Sequence, residues 1–372
     1  MTPFVHLHVH SYYSVLDGQA SITALVDKAM ADGMRGIAVT DHGNMFGIKE
    51  FFNYVNKKNS KIKGAIKDAK AAAAQAEADG NSELAAEKSA EAEELQKKIF
   101  KPILGCEVYV ANESLLSHTD KKDTGRHLIL LAKNSKGYHN LVKIVSRAWT
   151  DGFYSHPRTD KADIVAHKEG LIVCSACLGG EVPKLITSGQ IEEAERRILW
   201  WKEQFGDDYY LELQRHKATV VRANHEAFPL QQEVNNHLIN FARKHDIKLV
   251  CTNDVHFVNE DDAEAHERLI CLSTNKKINE DHMLYSKQEW LKSTEEMNAL
   301  FADIPEALAN TVEILDKVET YDIDHAPIMP FFAIPEEFGT EEEYRSRITE
   351  EDLFNEFTQD ENGNVVMSRE EG

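Results

Sequence analysis

Read from the amino terminus, short apolar runs alternate with longer stretches in which apolar positions recur every three or four residues. The short runs predict strands at residues 4–10, 36–40, 102–110, 127–132, 170–176, 209–214 and 247–252. The longer stretches predict helices at 21–32, 136–150, 190–205 and 224–245. Strands alternating with helices predict a parallel α/β architecture, and seven strands fit a barrel better than a sandwich. Runs such as LIVCSA at 171–176 are apolar on both faces, as strands covered on both sides must be.

Residues 57–99 interrupt this rhythm with a stretch rich in Ala, Glu and Lys. Asp79-Gly80-Asn81-Ser82 reads as a turn between two antiparallel helices, with Asn81 or Ser82 as the N-cap. The apolar stripe there is thin (Leu84, Ala92, Leu95, Ile99), so a projecting hairpin insertion without a chemical role is expected. From about residue 260 only helical patterns follow, then a Pro-rich passage at 325–338 and an acidic tail. The expected organisation is a barrel over 1–258 carrying the 57–99 hairpin, then a helical extension over 259–320. Residues 321–372 read as a linker or the start of a further, truncated domain.

Composition narrows the class. Hydrophobic residues make up 42% and charged residues 28%, typical of a globular protein, and no run of 18 apolar residues suggests a membrane span. The first segment lacks the basic start and cleavage site of a secretory signal, and the cysteines number only five. A reduced, cytoplasmic protein with no membrane partner is expected. The net charge of −21 is a poor footprint for gripping a nucleic-acid backbone unaided, so a phosphodiester substrate would need bound cations.

Candidate chemistry gathers at strand ends. VHLHVHSYYSVLDG, residues 5–18, places His6, His8 and His10 on one strand face with Asp17 beyond them. Later strands bring Asp41 and His42, Glu107, His127, Cys177, then Asp254 and His256. In parallel barrels the active site forms at the carboxyl ends of the strands, so these positions can converge. Imidazole, carboxylate and thiolate are transition-metal ligands, and a set of this size exceeds the needs of one ion. Two or three divalent ions (Zn, Mn or Fe) sharing carboxylates would use them, and such clusters hydrolyse phosphoesters. Taken singly, each motif also has a plain reading. The histidines can be core residues, Asp-His-Gly can be turn chemistry, and Cys177 can be a small hydrophobe or half of a Cys-x-x-Cys with Cys174. Glu107 is harder to explain away, because an unpaired buried carboxylate is costly.

Taken together, HLHVHSYYSVLDG, AVTDHGNMFG, KPILGCEVYV, RHLILLAKN, GFYSHPR, VCSACLGGEVP and TNDVHF resemble successive motifs of the PHP (polymerase and histidinol phosphatase) domain family. Their wording is that of the N-terminal region of bacterial DNA polymerase III α subunits, through most of residues 3–318 apart from 57–99. The resemblance implies a distorted seven-stranded (β/α) barrel with a trinuclear centre and a metal-dependent 3′–5′ exonuclease able to proofread. Carried over position by position, the metal ligands fall on His8, His10, Asp17, His42, Glu107, His127, Cys177, Asp254 and His256. Asp17, His42, Glu107 and Asp254 are the candidate catalytic residues among them. His6, one pleat repeat deeper, is expected to be a hydrogen-bonded core residue.

Implied partners are single-stranded or frayed 3′ ends of DNA, the remainder of a polymerase chain, and other replisome subunits. Asp322 and Asp324 form the only Asp-x-Asp and read as surface, so polymerisation is not expected of these residues. Arg158 and Arg215 are candidate contacts for substrate phosphate, with surface ion pairing as the alternative. Asp41 either holds a metal-bound imidazole or caps the next helix. Two further functional readings stand beside the nuclease: a metal-stapled scaffold that supports a polymerase or binds a separate exonuclease, and a small-molecule phosphatase of the histidinol-phosphate type.

Overall fold

In the computed structural model, which describes residues 1–330, 339–368 and 370–371, eight strands form one curled sheet. They are β1 (Gly36–Val39), β2 (Lys101–Val110), β3 (Arg126–Ala132), β4 (Phe153–Tyr154), β5 (His156–Thr159), β6 (Leu171–Cys174), β7 (Tyr209–Leu213) and β8 (Lys248–Cys251). The order is β4-β5-β2-β3-β6-β7-β8, with β1 also on β2. The small hairpin β4–β5 had no clear apolar pattern and was not expected from the sequence.

The amino-terminal segment links the two ends of this sheet. Ala38 N donates to His6 O at 2.9 Å on one side, and His10 N donates to Val255 O at 2.7 Å on the other. Residues 4–10 are therefore an extended staple with a single bridge at Val9 rather than a regular strand. With that segment the ring has seven members, β1, β2, β3, β6, β7 and β8 being the others, and the architecture is a distorted α/β barrel.

The expectation of an all-parallel sheet is corrected at β3, which runs antiparallel to both β2 and β6. Its first residues therefore lie beside the last residues of β2, with Tyr109 opposite His127. A histidine that opens its strand thus reaches the same rim as residues that close theirs.

Helices cover the outside: α1 (Ile22–Ala31), α2 (Ile48–Ala78), α3 (Ser82–Lys97), α4 (Ser135–Thr150), α5 (Lys161–Ala166), α6 (Glu181–Thr187) and α7 (Ile191–Phe205). There follow α8 (Ala227–His245), α9 (Ala263–Ser273), α10 (Thr294–Leu300) and α11 (Pro305–Lys317). Ser21 caps α1 by accepting from Ala24 N, and the helix buries Ile22, Leu25, Val26 and Ala29. Each such large aliphatic side chain contributes roughly 1.5–3 kcal/mol.

The hairpin is less separate than its composition suggested. α2 starts on the barrel at Ile48, buries Phe51, Phe52 and Val55, and only then runs outward. Asn59 receives the returning chain through a two-way pair with Phe100, at 2.8 and 3.1 Å. Asn81 is the N-cap of α3.

The chain divides into units Met1–Asp322 and Ile323–Gly372. The second unit carries α12 (Glu341–Arg347) and α13 (Glu350–Thr358), each opened by a threonine capping box. Part of the Pro-rich passage, residues 331–338, lies outside the described residues.

Candidate metal centre

The nine candidate ligands, drawn from the staple and from the ends of β1, β2, β3, β6 and β8, meet at one rim of the barrel. Their donor atoms form three overlapping groups, each within 4.8 Å: His10, His42 and His256; His8, His10 and Glu107; Glu107, His127 and Cys177. Asp17 joins the first group, with Oδ2 at 3.0 Å from His42 Nε2 and 3.8 Å from His256 Nε2. Asp254 joins the second, with Oδ1 at 3.1 Å from His8 Nε2 and 3.2 Å from His10 Nε2.

Hydrogen-bond partners fix which ring nitrogens face inward. Glu212 Oε1 lies 2.6 Å from His8 Nδ1, and a carboxylate can only accept, so His8 carries its proton on Nδ1. Ser14 Oγ donates to Asp41 Oδ1 at 2.8 Å, so toward His10 Nδ1, at 3.1 Å, it can only accept. Both Nε2 atoms are then bare in the neutral rings, yet they lie 3.1 Å apart beside Asp254 Oδ1. Three lone-pair-bearing atoms this close repel unless a cation, proton or metal, sits between them. Tetrahedral ligands with bonds of about 2.0–2.1 Å have mutual separations of about 3.3 Å, so the triangle fits a metal ion.

Glu107 is the hub. It is wholly buried and meets His42 Nδ1 at 2.5 Å, His127 Nδ1 at 2.8 Å and His8 Nε2 at 3.3 Å. Burial favours its neutral form, but His127 and His42 outweigh that and hold the carboxyl well below its usual range. Burial likewise opposes charge on His42, yet Glu107 and Asp17 push it up to about 10. His10 is pulled down to about 3, by burial first and then by His42 and His256. Cys177 Sγ lies 3.5 Å from His127 Nδ1, its thiol raised by burial and by Asp254 and Glu107. Asp254 (φ +47°) and Ala176 (φ +62°) occupy the left-handed backbone region, a strain of order 1–3 kcal/mol each that clusters at functional sites.

The PHP domain family matches residues 6–216, more than half of the chain. The chain belongs to the PHP domain family. It is similar to DNA polymerase III subunit alpha of Borreliella burgdorferi, at 39% identity over 94% of this chain and 27% of that protein. The corresponding subunits of Treponema pallidum and Thermus aquaticus are 35% and 34% identical, over 95% and 93% of this chain. The chain thus spans about a quarter of the length of these relatives. The structure also resembles an amidohydrolase from Chromobacterium violaceum, with a TM-score of 0.37 and 16% identity over 69% of this chain and 89% of that one.

Three sequence readings resolve as follows in this PHP domain: neither arginine is free for a phosphate, Arg215 taking the ion-pair alternative, and Asp41 does neither thing expected of it. Arg158 donates to Gly152 O, Asp123 O and Oδ2, and Ser117 O and is fully buried, so a phosphate cannot reach it. Arg215 forks onto Asp303 at 2.6 and 2.8 Å and bonds Leu300 O, which clamps the turn between α10 and α11. Asp41 neither touches a cluster imidazole nor caps α2, whose N-cap is Gly47. It accepts from Ser11 and Ser14 and acts on His10 through Ser14. His6 is buried and paired with Lys292 O, away from the PHP cluster.

Sequence reasoning missed Glu212, although a carboxylate inside the apolar run YYLEL carries the same signal that singled out Glu107. It also missed Tyr285, whose hydroxyl donates to Asp17 Oδ1 at 2.8 Å, and His266, buried on α9 with Nε2 at 3.9 Å from that oxygen. Tyr285 lies in a patternless loop, so nothing local marked it. No helix among the described residues is long and apolar enough to cross a membrane.

Proposed function

We propose that this PHP domain is a metal-dependent phosphodiester hydrolase that removes nucleotides from the 3′ end of single-stranded or frayed DNA, as the N-terminal region of a DNA polymerase III α chain. The observation that carries the reading is the set of three overlapping donor groups sharing His10 and Glu107. Such sharing would bring two to three divalent ions within reach of a single phosphate. His10, His42, His256 and Asp17 would hold one ion, His8, His10, Glu107 and Asp254 a second, and Glu107, His127 and Cys177 a third. Cys177 biases that last position toward zinc or another thiophilic ion.

When bound, the ions supply Lewis-acid polarisation of the phosphoryl group. The chain's own part is to keep the donors aimed: Glu212 and the Ser14–Asp41 pair set the imidazole tautomers, and Tyr285 holds Asp17. Asp17, held by Tyr285, and Asp254 would accept hydrogens from an attacking water and so orient it. The proposed organisation is a barrel over residues 1–258 with its 57–99 hairpin, a helical extension over 259–320, and residues 321–372 leading toward the polymerase body. The two carboxylates of Asp322 and Asp324 are exposed, and polymerisation is not assigned to this region.

The test is a 5′-labelled primer incubated with the purified chain and Mn²⁺ or Zn²⁺. Shortening from the 3′ end that disappears in Asp254→Asn is expected. Equal shortening by Asp254→Asn would mean the nuclease is not this site. Metal uptake with no turnover would favour a stapled scaffold, and preferential cleavage of a phosphomonoester a small-molecule phosphatase.

A further inference from the structure

A cavity of about 210 Å³ opens beside the cluster, and Cys177 and Asp254 form part of its wall. Apart from Leu178, beside Cys177, the rest comes from the segment after β7, the start of α8 and the loop after α9, none of which supplies a cluster ligand. None of the lining residues is Lys or Arg, and two carboxylates, Asp254 and Glu289, face the space. Away from the candidate metal-binding end, where Glu289 faces the space and no Lys or Arg lines it, a phosphate is repelled, whereas a neutral heterocycle is not.

What the wall offers instead is amide chemistry between apolar surfaces. The Gln214 amide nitrogen is committed to Glu212 Oε1 and Thr252 Oγ1, at 3.1 and 3.2 Å, which leaves its carbonyl oxygen to accept. Gln231 accepts from His216 N at 2.7 Å and uses one amide hydrogen on His216 Nδ1 at 3.1 Å, which leaves the other to donate. His216 is buried, and burial lowers its pKa, so it is a neutral ring locked between Gln231 and Asn253 O. Leu178 and Met283 supply apolar contact. Paired donors and acceptors beside apolar faces are how enzymes hold a single unstacked base.

We propose that this cavity is a nucleobase subsite, seating the base of the terminal nucleotide while its phosphate lies at the Asp254 and Cys177 end. The inference rests on the phosphodiesterase reading for its role, though base binding is measurable without it. Because Gln214 and Gln231 offer one acceptor and one donor, the pocket takes purine and pyrimidine deoxynucleosides alike.

The test has two arms. In the first, saturation-transfer NMR is recorded on the full chain with deoxyadenosine or thymidine and no added metal. Ala227 lines the cavity, so Ala227→Phe fills it and Ala227→Leu fills it more gently should the larger residue impair folding. Transfer to both nucleosides in the parent chain, lost in the filled variants, is expected. Absence of transfer in the parent chain, or transfer unchanged by filling, overturns the proposal. In the second arm, metal-loaded protein is given thymidine 5′-(4-nitrophenyl phosphate) and bis(4-nitrophenyl) phosphate. Filling should lower kcat/KM for the nucleotide ester about tenfold, near 1.4 kcal/mol, while the base-free ester is unaffected. Equal losses on both esters overturn the subsite. If neither ester is cleaved, the phosphodiesterase reading fails while the NMR arm still decides the pocket.

Discussion

Glu212 Oε1 sits 2.6 Å from His8 Nδ1, and neither side chain has any exposed surface. The carboxylate fixes the tautomer of a ring whose other nitrogen faces Glu107 and Asp254, so it tunes the centre without belonging to it. Glu212→Gln is expected to weaken metal binding about 10–100-fold, because an amide can present its NH₂ to Nδ1 and drive the proton onto the inward nitrogen. Titration against a chromophoric chelator measures this. Unaltered affinity would show that His8 is not a ligand or needs no orienting partner.

Metal uptake should expel protons. His42 is held up to about 10 by Glu107 and Asp17 against its burial, and burial with Asp254 and Glu107 keeps Cys177 a thiol. Ligation requires a bare imidazole nitrogen and a thiolate, so each such group surrenders a proton when an ion enters. Affinity is expected to rise with pH between 6.5 and about 10, approaching tenfold per pH unit for each proton released. Calorimetry in buffers of different ionisation enthalpy counts those protons directly. A count of zero would contradict the arrangement.

Arg158 supports the fold rather than the substrate. Its guanidinium is wholly buried, spans three separate carbonyls and the Asp123 carboxylate, and lies 5.0 Å from the Tyr154 ring. Arg158→Met removes one member of a buried ion pair and should cost about 3–5 kcal/mol in urea unfolding. The KM for a 3′-ended primer, measured where the variant is folded, should be unchanged. A selective rise in KM with full stability would restore the phosphate-contact role.

Much of the site was legible because its chemistry is conspicuous in local context. Glu107 stood out as a carboxylate in an apolar strand, and His8 with His10 as a spaced pair ahead of Asp17. The fold's reversal at β3 was not legible, because apolar runs carry no direction, so the sequence did not show how His127, which opens its strand, reaches the rim. Arg158 misled for a related reason: GFYSHPR shows an arginine but not the carbonyls of residues 117, 123 and 152 that enclose it. Tyr285 and the cavity wall depend on where α9 and the following loop return, a tertiary event with no local pattern. The hairpin was recognised by composition, but α2 begins on the barrel at Ile48 because Phe51 and Phe52 have a core to bury against.

Lys292 offers a test of the fold that is independent of metal. Its Nζ lies 3.2 Å from the centroid of the Trp290 ring, bonds Gln288 O, and is almost fully enclosed. Burial lowers its pKa from 10.5 to about 7, with Glu289 and Glu296 pulling the other way. Between these values the unfolded chain binds one more proton than the folded chain, so stability from this group rises with pH. Below about 7 the folded state carries the full cost of an enclosed charge, and above 10.5 it carries none. Lys292→Met should therefore raise the Tm at pH 6.5, within a ceiling of ~5 kcal/mol from the size of the shift, less what the Trp290 contact returns. At pH 9.5 the gap between variant and parent should narrow markedly. A Tm difference that stays constant across that range would mean that Lys292 is charged and content where it sits.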